Sequence, residues 1–262
     1  MLYFFPLFLY AEYFLLSIGD NIGKIIHPTS IKYSEIFQEN FVGLIHHSLS
    51  SIVLTYIMYN GTWCLNSDWS LSSTDSINCI YNSYSKQLYA LIVIFEVSHY
   101  IMSIINTLLL KTMKRADQTM LFVHHIVALI LIYGATFVAV GEFGTVYVLF
   151  THNLCDIPIN IYLLGKNLKH GHINLNKRIV TFLDNVNGIM LITMWVYLRL
   201  YMYGNFTYFF VMLYPEETNV IMKISLCVLY ILDVIWFFLV LKGIYIELFM
   251  KKEKSVLYDK ED

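Results

Sequence analysis

The chain has 262 residues, of which 58% are hydrophobic, 16% aromatic and only 14% charged, with a net charge of −2 and a mean hydropathy of +0.60. That composition excludes a water-soluble domain, and the length holds about seven spans of about twenty residues with no room for a soluble catalytic module. The net charge says nothing by itself, and no nucleic-acid partner is expected.

In chain order, apolar stretches fall near Leu2 to Ile18, Phe41 to Tyr59, Leu88 to Leu110, Thr119 to Val140, Phe143 to Leu164, Ile179 to Met202 and Ile224 to Phe249. The expected fold is an all-α polytopic membrane protein, about seven transmembrane helices around a central cavity. Residues 1–40 read as an anchor span plus a cytosolic loop from Asp20 to Asn40, 41–250 as the main membrane domain, and 251–262 as a disordered tail of mixed charge. The first stretch lacks a positive flank and a small-residue cleavage site, so it reads as an anchor rather than a signal peptide. Alternate connections and the tail hold 14 of the 17 Lys and Arg, while Gly61 to Ser85 holds none. By the positive-inside rule the amino end is outside and the carboxyl end cytosolic.

Two sequons, Asn60-Gly-Thr62 and Asn205-Phe-Thr207, fall at connections on the far side by this rule. Cys64 and Cys79 share the far-side loop, where an oxidising lumen permits a bridge without requiring one. Cys155 and Cys227 lie within spans and read as apolar packing.

The chemistry-bearing residues are those that are costly in hydrocarbon. His124 and His125 stand side by side about a turn into an otherwise uncharged apolar stretch, and His152 and Asp156, four apart, share a face of the next. Counted from the cytosolic ends, His124, His125 and Asp184 lie roughly 8 Å deep, Asp156 about 12 Å, and His99 and His152 about 17 Å. Glu96 and His99 share a face of the third span. Overlapping depths point to one pocket open to the cytosol; the alternative is that each group only bolts helices together, the plainer reading for His46, His47, Glu96 and Asp233 taken singly. A metal centre is not expected, because only two histidine groups stand out where membrane metalloenzymes use several. No G-x-S-x-G and no Gly-rich phosphate loop occurs.

The run Lys114-Arg-Ala-Asp117, Met120-Leu-Phe-Val-His-His-Ile-Val-Ala-Leu129, Gly144-Thr-Val and His152-Asn-Leu-Cys-Asp156 resembles the Lag motif of ceramide synthases, in the TLC superfamily of endoplasmic reticulum membrane proteins. Asp184, Arg199 before a Tyr-rich turn, and Val234-Ile-Trp236 are similar in order and spacing, so the resemblance runs from about Phe41 to the tail. The family threonine is Ala128 here, the family arginine before the glycine is Glu142, and the first aspartate of the second motif is Asn153.

The resemblance implies N-acylation of a sphingoid base by a fatty acyl-CoA in the endoplasmic reticulum membrane. His124 is expected to take the acyl group or act as base, with His125, His152 and Asp156 completing the catalytic set and Asp156 orienting the histidine pair. Asp184, His99, Glu96 and Arg199 are expected to support it. Lys111, Lys114 and Arg115 would meet the CoA phosphates at the cavity mouth, although the same charges also orient any multispan protein. No cofactor or metal is implied, CoA entering as co-substrate; membrane lipids are partners, and a homo- or heterodimer is compatible with the chain. The rival is a TLC-type lipid-binding or membrane-regulating protein without catalysis.

Overall fold

The computed structural model describes residues 3–60, 86–110, 118–135, 137, 141–169, 177–213, 216 and 218–245. Among them there is no strand; seven helical rods form an all-α membrane bundle. They are α1 (Phe4–Ile26), α2 (Ile31–Asn60), α3 (Lys86–Ile105, ending in a π turn, Asn106–Leu110), α4 (Gln118–Ala135), α5 (Gly141–Lys169), α6 (Lys177–Met194) and α7 (Val220–Tyr245). Three carry windows long and apolar enough to cross a membrane by composition alone: Ile31–Tyr59, Gln87–Leu108 and Val220–Gly243. In α5 the hydropathy is diluted by the inward polar residues His152, Asn153, Asp156 and Asn160. Large side chains such as Ile52, Ile189, Ile231 and Phe238 stay exposed, as lipid-facing positions do.

The expected cytosolic loop from Asp20 to Asn40 is instead a tight helical hairpin, broken only at His27 to Ser30. Its polar residues lie along helix faces: Lys24 pairs with Asp20 one turn earlier at 2.6 Å. The hairpin is close because α1 presents Gly19 and Gly23 to α2; a Cβ on Gly23 would sit 2.8 Å from the Ser34 carbonyl oxygen. His27 Nε2 meets Asn167 Oδ1 at 2.5 Å, and Asn167 Nδ2 donates to the Tyr33 carbonyl at 2.9 Å, tying the hairpin to the end of α5.

Helix α2 packs along α5, the most extensive helix pair of the bundle. In α5, Pro158 removes one backbone donor, and Asn187 of α6 donates to its carbonyl at 2.8 Å.

Beyond Met194 the α6 rod does not stop. It continues through a π segment (Trp195–Met202), an α turn (Tyr203–Tyr208) and a second π segment (Phe209–Leu213). The expected span end at Met202 is thus overrun. The Asn205 sequon lies in helix with Thr207 buried, so it is not the exposed connection that the sequence suggested. Tyr147 and Phe206 stack at 4.9 Å beside Phe143 and Phe210, packing this part of the core with aromatic rings. The Asn60 sequon, Cys64, Cys79 and the tail lie outside the described residues.

Candidate functional site

A cavity of about 400 Å³ lies among all seven rods. Its lining includes Glu39, Ser103, Asn106, Leu121, Leu163 and Leu239, and one wall carries His124, His152 and Arg199. The volume is within the range of small-molecule sites, roughly 300–1,000 Å³.

Four of the expected catalytic residues share this wall: His124, His125, His152 and Asp156. The ring of His124 lies 5.7 Å from His125, 5.8 Å from His152 and 5.1 Å from Trp236 of α7. Its Nδ1 is buried and has no hydrogen-bond partner among the described residues. His125 faces the other way, 5.2 Å from Tyr100 and 6.4 Å from His99.

The carboxylates are shared out differently from the expectation. Asp156 does not orient the histidine pair; it is bound by Arg199 Nη2, while Arg199 Nη1 donates to Asp233 Oδ1 at 2.8 Å. Asp233 Oδ2 then meets His152 Nε2 at 3.1 Å, and His152 Nδ1 faces the Val148 carbonyl at 2.9 Å. Both ring nitrogens are engaged, so the imidazole is held in one orientation. The guanidinium is 1% exposed and lies 4.7 Å over the Trp195 ring. The π segment is what makes this chain of charges: its wider turn turns Trp195, Leu198, Arg199 and Met202 inward together.

A second network sits on the α1–α2–α3 side. His46 Nδ1 meets Glu12 Oε1 at 2.8 Å and His46 Nε2 meets Glu96 Oε2 at 3.3 Å; His99 Nδ1 meets Glu12 Oε2 at 3.2 Å. Asn153, where the family has aspartate, joins the two networks. Its Nδ2 donates to Glu96 Oε1 at 2.9 Å and its Oδ1 accepts from His47 Nδ1 at 2.6 Å. An aspartate could not donate to Glu96, so the amide fits this carboxylate. It also fixes the proton of His47 on Nδ1 and leaves Nε2 free, 3.9 Å from Asp156 Oδ2.

His99 and Arg199 line the cavity, and Glu96 lies behind Asn153. Asp184 lies on α6, its side chain outside the described residues, as are Lys111, Lys114 and Arg115. Glu12 was not anticipated, although a carboxylate amid the uncharged stretch Phe4 to Gly19 is itself the signal of a buried functional group. Past His124, His152 and Tyr100 the cavity gives way to a crevice of about 20 Å³ lined by Ala128, Leu131 and Leu229. The residue at the family threonine position thus faces the crevice and not the main cavity.

No curated protein aligns significantly with the chain. The TLC domain profile (TRAM/LAG1/CLN8) matches residues 36–242, which include the Lag-like run and every helix of the cavity except α1. With the profile covering most of its length, the chain belongs to the TLC-domain family of lipid-related membrane proteins.

Proposed function

We propose that the protein is a sphingoid base N-acyltransferase that uses His124 to carry a fatty acyl group from acyl-CoA to an amine. The observation that carries this reading is the buried Nδ1 of His124, unpartnered among the described residues, on a cavity wall with four further imidazoles, of which His152 is paired with the Asp233 carboxylate. A neutral imidazole nitrogen without a partner is a nucleophile that loses no hydrogen bond on attack.

In the proposed reaction that nitrogen adds to the thioester carbonyl, the C–S bond breaks, and CoA leaves as the thiol with the proton that the acylated ring of His124 releases from its other nitrogen. The amine then adds to the acyl-imidazole, the C–N bond to His124 breaks, and the amine proton returns to the His124 ring, which restores the neutral imidazole. His152, with both ring nitrogens held by Asp233 and the Val148 carbonyl, has no N–H to spare for the oxyanion and serves to fix the wall beside His124. Asp156 acts through Arg199 rather than on the imidazole pair. The charge distribution supports an endoplasmic reticulum multispan protein with a cytosolic carboxyl end, and the basic connections are suited to the CoA phosphates.

One observation favours the rival, a lipid-binding member without catalysis: Asp156 is spent on Arg199 and not on His124 or His125. One assay separates the two. Microsomes from cells without their own ceramide synthases, supplied with this chain, sphinganine and acyl-CoA, are expected to form ceramide. His124→Ala is expected to lower product by 10³-fold or more, on the order of the loss of a covalent catalyst, at equal protein abundance. No product from the unsubstituted chain, or equal product from His124→Ala, overturns the acyltransferase reading.

A further inference from the structure

Glu12, His46 and His99 come from three different helices, yet one ligand atom of each lies within 4.8 Å of the other two. All three side chains are buried. The two imidazoles are nearly parallel, 3.7 Å apart, and both turn Nδ1 toward the same carboxylate. Those N···O separations, 2.8 and 3.2 Å, run to the two oxygens of that one carboxylate, which brings both Nδ1 atoms to a single acid.

Charge balance points the same way. Glu12 and Glu96 are 1% and 0% exposed at membrane depth, and Arg199, among the described residues the one Lys or Arg buried in the cavity wall, is bound to Asp156 and Asp233. With neutral imidazoles the cluster carries two uncompensated negative charges, and one divalent cation cancels both. The surroundings of His46 are those of a ligating histidine: as Nδ1 binds, Nε2–H is offered to Glu96, which Asn153 fixes from its other oxygen.

We propose that Glu12, His46 and His99 bind a divalent first-row transition ion, zinc by the character of the donors. Two imidazoles and a carboxylate form a three-ligand set with the fourth position open. Here that position faces the cavity, since Glu12 and His99 both line it. Glu12 lies outside residues 36–242, so the site is not contained in the family-matched segment. The proposal does not depend on acyl transfer: His124 supplies no ligand to it.

The full chain, purified in detergent through a tag that binds no metal, is incubated with Zn²⁺, passed over a desalting column and assayed by plasma mass spectrometry. About one zinc per chain is expected. Glu12→Gln, nearly isosteric, and His99→Asn are each expected to lower retained zinc at least tenfold, whereas His124→Ala retains it even if it makes no product. Chelation is expected to lower the thermal midpoint of the unsubstituted protein but not that of Glu12→Gln. A monodisperse unsubstituted chain that retains no zinc overturns the proposal, whether or not the variants fold; so does full zinc retention by both ligand variants.

Discussion

Arg199 is the residue on which the buried charge depends. It is 1% exposed, and its two terminal nitrogens each hold a carboxylate from a different helix, Asp156 of α5 and Asp233 of α7. Removing one partner from such a set leaves the others charged and unpaired, at a cost of about 3–5 kcal/mol. Arg199→Met is therefore expected to lower stability by about that amount, read from thermal unfolding in detergent, and Arg199→Lys to restore only part because an ammonium lacks the two-pronged fork. Combining Arg199→Met with Asp156→Asn and Asp233→Asn is expected to recover most of the loss. Sequence located these charges but not their pairing. His124, His125, His152 and Asp156 stood out because each sits in hydrocarbon-length apolar sequence. Which acid meets which base depends on the rotation of each helix, and Arg199 and Asp156 are 43 positions apart. Glu12, His46 and His99 were harder still: Glu12 was not anticipated, His46 reads as a helix bolt and His99 as a support of the catalytic set until three helices bring them together.

At the scale of elements, positions of two kinds decide the shape: glycines where helices touch and π turns where they rotate. Spans and their order were legible from hydropathy, because seven apolar stretches have few other solutions. Their ends were not: the polar residues from Asp20 to Asn40 suggested a loop, whereas i,i+4 pairing keeps them helical. Nor was the π segment legible, because no residue pattern marks where an extra residue per turn is tolerated. The glycines can be tested in a pair. Gly23→Val places a side chain against the Ser34 backbone and is expected to part α1 from α2, costing roughly 1–3 kcal/mol. Gly188→Ala on α6 has open space around the new methyl and is expected to stabilise by up to about 1 kcal/mol through helix propensity. Thermal midpoints of the two variants measured side by side check both; a Gly23→Val protein as stable as the parent would mean that the hairpin is held elsewhere.

For the molecule as a whole, the seven rods surround the cavity and two polar networks, with Asn153 holding Glu96 of one and His47, which stands 3.9 Å from Asp156 of the other. The covalent step at His124 has a kinetic corollary. A cavity of about 400 Å³, to which the neighbouring crevice adds only about 20 Å³, is small for a nucleotide carrier and a long-chain amine at once. Donor and acceptor then enter by turns: the nucleotide carrier has to withdraw before the long-chain amine can approach. On the acyltransferase reading, initial rates with both substrates varied should give parallel double-reciprocal lines, the signature of ping-pong turnover, and free CoA should compete with the amine for the vacated enzyme.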